Sequence, residues 1–309
     1  MGGDKSEVLL KEQFVDLQQK FSLLDDLHFV IAVDASYSNK KRAVKSGWGT
    51  SLHAPGIIQT NLGQLTVQSE YRRAIELLSY KIGKEFLFDI HGKQIQEVDM
   101  LFYSDGVKVK KSVTYDQILP TYDKYAQLFN QEAPEFFQQS GSDISSVIYD
   151  CIESSVLSGQ FVVLILLTDG DLFDCGEARQ AVVDASYFPM SIAALGIGNG
   201  PFDSIQVFDN KIYDRMFDNF CFHHFDYVRV NSEKNYLEPG EMCNLRTCSV
   251  KNGQNFYKTL QGECPQDDQK AEQTLLLGIF NEIVGQYQYA GQAYREVASL
   301  IKKRTKEEM

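Results

Sequence analysis

"HFVIAVDASYSN", His28 to Asn39, sets an apolar run against three oxygen-bearing side chains. The run is short and rich in β-branched residues, as a strand buried on both faces requires. It stops at Asp34, and Ser36 and Ser38 follow at alternate positions. A strand ending this way delivers a carboxylate and two hydroxyls to one edge of a sheet. A second apolar run, "FVVLILLTDG" (Phe161 to Gly170), ends in Thr168, Asp169 and Gly170. Between the two, "SGSDIS" places Ser142 just before a helical stretch. In an open parallel sheet, ligands bind beyond the carboxyl ends of strands, where the strand order reverses.

Outward from these strands the chain alternates. "SEYRRAIELLSYKIG" has Ala74, Ile75, Leu78 and Ile82 on one side of a helix, after a long polar loop containing Gly47, Gly49, Pro55, Gly56 and Gly63. "VDMLFYS" reads as a strand, and "YDQILPTYDKYAQLF" as a helical stretch interrupted at Pro120. "DISSVIYDCIESSVL" and "GEARQAVVDAS" read as helices, "MSIAALGIG" and "FDNFCFHHF" as strands. This alternation implies βαβ units: an α/β, Rossmann-like doubly wound sheet, mainly parallel and flanked by helices. Leu10, Phe14, Leu17, Phe21 and Leu24 recur at alternating intervals of four and three, so residues 1–26 read as an N-terminal helical extension. The main domain is expected over 27–230. Residues 231–269 are polar and without period, a loop-rich insertion. Residues 270–309 supply a C-terminal helix that completes the domain and a charged tail, "KKRTKEEM".

Composition narrows the function. Among 309 residues, 42 acids outweigh 30 bases for a net charge of −12, which argues against nucleic acid as a partner. No apolar run approaches the ~18–20 residues that span a bilayer. The polar N-terminus lacks the basic-then-apolar pattern of a signal peptide. The six cysteines are spread along the chain, which reads as reduced thiols of a cytoplasmic protein. Cys243, Cys248 and Cys264 lie closer together, but no fourth ligand stands at zinc-finger spacing. The basic cluster Lys40, Lys41, Arg42 and Lys45 reads first as solvated loop charge, with contact to a partner's acidic face as the functional alternative.

The oxygen-bearing residues suit a divalent cation. Mg²⁺ takes six hard oxygens and usually keeps several waters. Ser36 and Ser38 offer neutral hydroxyls, and Asp34 and Asp169 carboxylates, directly or through water. Neutral hydroxyls leave much of the ion's charge uncompensated, so a carboxylate from a partner can complete the shell.

"DASYS" fits the D-x-S-x-S pattern of the metal-ion-dependent adhesion site in von Willebrand factor A-type domains. Further elements resemble the copine family: "SLH" (Ser51 to His53), "EYRRAI" with "KIG", "LTDGDLFD", "AVVDASYFPMSIAALGIGNGPF", "FDNFCF" and "EIVGQY" (Glu282 to Tyr287). The resemblance covers about Ser6 to Gln288 except the insertion. It implies a metal site of Asp34, Ser36, Ser38, Ser142 and Asp169, holding Mg²⁺ or else Mn²⁺ or Ca²⁺. Ser142 stands where the family usually has threonine, and Asp143 where copines tend to carry asparagine. With Asp171 and Asp174, Asp143 is expected to make an acidic rim. The lipid-binding domains and the RING of copines and of plant copine-type ubiquitin ligases have no counterpart here, so a solitary copine domain is expected.

The function that follows is metal-dependent protein binding, by an adaptor or scaffold without catalysis. Two other readings stand beside it. One is a structural component of a large complex, a cytoskeletal one being the example considered, with an incidental metal site. The other is a Mg²⁺-dependent phosphotransferase with Asp34 as nucleophile, although Ser36 occupies the place of its proton-donating acid. "MGGDKS" fits a myristoylation pattern at Gly2, and one acyl chain would give weak, reversible membrane contact. "GIGNG" (Gly196 to Gly200) lacks the full dinucleotide fingerprint. His223 and His224 point to opposite faces of a strand and read as structural. Phe217, Phe220, Phe222 and Phe225 read as core.

Overall fold

Strand β1 (Leu27–Asp34) is the axis of the molecule. It pairs in parallel with β4 (Glu97–Tyr103) on one side and β6 (Phe161–Thr168) on the other. The computed structural model describes residues 27–45, 50–60, 63–79, 97–130, 141–210, 212, 214–225, 279 and 282–288. The N-terminal extension with Gly2, the 231–269 insertion with Cys243, Cys248 and Cys264, Ile82 and the charged tail lie outside them.

The main sheet has six strands in the order β5-β4-β1-β6-β7-β8, where β5 is Val107–Thr114, β7 Met190–Gly196 and β8 Phe220–His224. Counted among themselves in chain order, the six run 3-2-1-4-5-6, the doubly wound arrangement. Only the β4–β5 pairing within this sheet is antiparallel. β5 was not expected as a strand. Its sequence alternates Val107-Lys108-Val109-Lys110, and lysines along an edge strand discourage pairing with another chain.

The continuous apolar runs are explained by two covered faces. Phe29, Ile31 and Val33 of β1, with Val163, Ile165 and Leu167 of β6, enter one core. There they meet helix α2 (Glu70–Leu77), helix α3 (Ile118–Asn130) and the helical residues 282–288. Val30, Ala32, Val162, Leu164 and Leu166 enter the other core. Helices α4 (Ile144–Ser158), α5 (Cys175–Ala185) and α6 (Asp203–Asn210) close that side. Each fully buried aliphatic side chain stabilises the fold by roughly 1.5–3 kcal/mol, so neither face tolerates a polar strand residue. The expected phenylalanine core is present in Phe217, Phe220 and Phe225, all buried.

Three local expectations are corrected. The basic cluster is not a loop: Ser38–Lys45 is helix α1. The polar stretch after it contains a two-stranded antiparallel ladder, β2 (Gly56–Thr60) and β3 (Gly63–Val67), separate from the main sheet. Pro120 does not interrupt its helix. It is the third residue of α3, within the first turn, where backbone N–H groups have no intrahelical acceptor and proline costs little.

Candidate metal centre

β1 and β6 are neighbours, and the chain leaves them toward opposite halves of the sheet. The crevice beyond their carboxyl ends holds all five sequence-predicted residues. Asp34, Ser36, Ser38, Ser142 and Asp169 are each 1% exposed or less.

The loop after β1 is fixed by its own polar groups. The Ser36 N–H donates to Asp34 Oδ1 at 2.9 Å, and the Ser36 and Ser38 hydroxyls are 2.7 Å apart. From β6, Thr168 Oγ1 lies 3.4 Å and the Asp169 amide 3.5 Å from Asp34 Oδ2. The Ser142 hydroxyl also reaches the Asp34 carboxylate. Ser142 is held by a parallel bridge to Leu172, its N–H donating to the Asp171 carbonyl at 2.7 Å. The threonine-to-serine change therefore leaves a hydroxyl in place.

Beneath the loop lies a buried latch that the sequence reading did not assign. His53 Nε2 is 2.8 Å from the Asp34 carbonyl. A carbonyl only accepts, so Nε2 carries the proton, and Nδ1 accepts from Tyr122 Oη at 3.1 Å. The ring stacks on Tyr71 with centroids 4.0 Å apart. Burial pushes the imidazole pKa down to about 4, against the opposing pull of the Asp34 carbonyl. Asn39 Nδ2 donates to the carbonyls of Asp34 and Ser36, each at 3.2 Å. Gly170, with φ of +86°, turns the chain away after Asp169 where a Cβ would fall 2.6 Å from Phe202.

The electrostatics concern two carboxylates and one guanidinium. Burial raises the pKa of Asp34; burial and the Asp34 charge raise that of Asp169, while Arg42 opposes. Arg42 was expected among solvated charges. Instead it turns inward from α1, its Nε 3.2 Å from Asp169 Oδ2, and Nη1 donates to the Gly200 carbonyl. The Nε–H is not aimed at the carboxylate, so Asp169 Oδ2 is buried without a hydrogen bond among the described residues. Two residues of the expected acidic rim also serve as helix caps. Asp143 caps α4, accepting from the amides of Ser145 and Ser146, and Asp174 caps α5 in the same way.

The donor set fits a hard divalent cation. Two hydroxyls a metal-shell edge apart and two neighbouring carboxylates, one with an oxygen that makes no hydrogen bond among the described residues, are the oxygen ligands that Mg²⁺ or Mn²⁺ takes. Gly196 ends β7, where a Cβ would fall within 3 Å of Phe222 and Phe202.

A doubly wound sheet with D-x-S-x-S after its first strand, and a serine and an aspartate brought in from later loops, defines a von Willebrand factor A-type domain. A model of the copine family matches residues 91–239. Copine family protein 1 of Caenorhabditis elegans is 26% identical over 223 residues, covering 71% of this chain and 19% of its own length. The E3 ubiquitin-protein ligase RGLG4 of Arabidopsis thaliana is 27% identical over 254 residues, covering 74% of this chain and 58% of its own. RGLG3 of the same plant is 36% identical over 226 residues, covering 68% and 57%. The chain thus matches copine-type domains over most of its length and spans less than two thirds of the length of each of these relatives. Among solved structures, manganese-loaded Plasmodium vivax TRAP protein aligns with a TM-score of 0.36 at 11% identity, over 66% of this chain and 70% of that one. Human COPII-coat protein Sec24c aligns with a TM-score of 0.38 at 10% identity, over 65% and 30%.

Proposed function

We propose that this domain is a protein-binding adaptor or scaffold module whose partner engages it through a divalent cation held by Asp34, Ser36, Ser38, Ser142 and Asp169. The observation that carries the reading is Asp169 Oδ2, a buried carboxylate oxygen ion-paired with Arg42 yet without a hydrogen bond among the described residues, in the same crevice as two hydroxyls 2.7 Å apart. A partner's carboxylate is the group best suited to complete such a shell, because hydroxyl ligands leave cation charge uncompensated.

Mg²⁺ or Mn²⁺ added to chelator-treated protein should raise its melting temperature, since a ligand of the native state stabilises it by mass action. Asp34→Ala should erase that rise. Partner capture from the native cell should then differ between Mg²⁺ and chelator for the wild type and be absent from Asp34→Ala. If Asp34→Ala folds and captures the same partners with or without metal, the domain is a structural component and the metal-dependent reading is wrong.

A further inference from the structure

A second cluster stands apart from the crevice, on the edge strand β8. Cys221 and His223 are two residues apart in a strand, so their side chains share a face. They pair with Ala193 and Leu195 of β7, which belong to the core that also contains Ile279, Ile283 and Val284. The helical residues 282–288 therefore pack over this face and bring Glu282 to the cluster. One ligand atom each from Cys221, His223 and Glu282 lies within 4.8 Å of the others.

The adjacent histidines differ. His224 faces the other way and its Nε2 donates to the Gly198 carbonyl at 2.7 Å. Among the described residues His223 Nε2 is buried with no hydrogen-bond partner, and at 3.9 Å from Glu282 Oε1 it is too distant for a hydrogen bond. A buried ring nitrogen without a hydrogen bond, beside a thiol and a carboxylate, is uncommon in ordinary packing.

We infer that Cys221, His223 and Glu282 form a second metal site, for Zn²⁺ or a similarly thiophilic divalent ion, that clasps the C-terminal helix onto β8. The donor chemistry selects the metal. Sulfur, imidazole nitrogen and one carboxylate suit Zn²⁺, whereas Mg²⁺ takes oxygen ligands. Bond lengths of about 2.0–2.3 Å at tetrahedral angles put ligand atoms about 3.4–3.6 Å apart, a modest contraction of the present spacing. Three protein ligands would leave a fourth position for a water. Without metal the thiol is hydrogen-bonded to Glu282. Coordination uses the thiolate, and the thiol proton leaves to solvent. Asp209 and Asp218 add negative potential at Cys221 and Glu282, which favours a cation. The site is independent of the one at Asp34, being on β8, two strands from β6.

The test uses the full chain, reduced and freed of metal, titrated with Co²⁺ and then with Zn²⁺. Wild type should develop a thiolate-to-cobalt charge-transfer band and tetrahedral d–d bands at one equivalent, and Zn²⁺ should abolish both. Asp34→Ala, and a variant with Cys243, Cys248 and Cys264 all changed to serine, should keep these bands. Cys221→Ser should lose the charge-transfer band. His223→Gln, at a partly exposed position that leaves the core intact, should weaken Zn²⁺ binding at least about tenfold. Absence of the band in folded wild type, its survival in Cys221→Ser, or unchanged Zn²⁺ affinity in His223→Gln overturns the proposal.

Discussion

His53 turns the loop after β1 into an acid-sensitive structure, and the size of the effect can be worked out. Its ring is buried, and its pKa falls from 6.5 to about 4 because the charged form is desolvated. The unfolded chain takes up a proton below about pH 6.5. The folded chain takes it up only near pH 4. Between these values the unfolded state binds more protons, so stability rises with pH and is lost on acidification. At about 1.4 kcal/mol per pH unit, the whole window corresponds to about 3 kcal/mol, and about 2 kcal/mol should already be gone at pH 5.

The assay is urea unfolding of wild type and His53→Gln from pH 7 to pH 4, in chelator so that metal linkage does not enter. Every other group is common to both proteins, so its contribution cancels in the difference. Glutamine will impose a constant penalty through lost stacking on Tyr71, so only the slopes matter. The wild-type advantage should shrink by about 2 kcal/mol between pH 7 and pH 5. Parallel pH dependences would show that His53 is not held neutral and that the latch beneath Asp34 is misassigned.

Two further outcomes follow from the crevice. Arg42→Gln should lower the stability of the metal-free protein yet tighten Mg²⁺ or Mn²⁺ binding on the order of tenfold, because a fixed positive charge at a shared carboxylate opposes a cation; unchanged affinity, read from melting temperature against metal concentration, would place the guanidinium elsewhere in solution. Gly170→Ala should cost roughly 2 kcal/mol or more in urea unfolding, given its positive φ and a Cβ position 2.7 Å from the Pro201 carbonyl; a neutral substitution would mean that the turn after Asp169 differs from the one described.

What the sequence disclosed was local. Apolar runs ending in Asp34 and Asp169 announce strands and a shared edge, because strand burial and strand termination are written in consecutive residues. Asp143 and Asp174 could have been recognised as helix caps, since each precedes a helical stretch at the position where aspartate satisfies free amides. β5 was hidden by its lysines: an exposed edge strand needs no apolar run. Arg42 was illegible for a different reason. Whether a basic residue on a short helix faces water or a carboxylate depends on how α1 is docked, and the spacing of Lys40, Lys41, Arg42 and Lys45 does not encode that. Likewise Cys221 and His223 share a face by spacing alone, but Glu282 reaches them only through the packing of a distant helix.

Arg42 also bears on how the crevice would choose its ligands. With both carboxylates ionised and one guanidinium beside them, the crevice carries one net negative charge. Charges so deeply buried are costly unless compensated, which is why burial pushes the Asp34 and Asp169 pKa values up. A divalent cation would leave one net positive charge, whereas without Arg42 the same ion would leave none. The arginine thus weakens cation binding but leaves the loaded site short of one anion, the charge of a partner's aspartate or glutamate. Access points the same way. All five candidate ligands are shielded from solvent, and Arg42 joins α1 to the Gly200 loop beside them while remaining 17% exposed itself. If the partner proposed above supplies a carboxylate, that group would compete with Asp169 for the Arg42 guanidinium and so free the aspartate for the cation. On the proposed reading, acidic partner and metal would favour each other's binding, and by linkage the mutual enhancement would be equal in both directions.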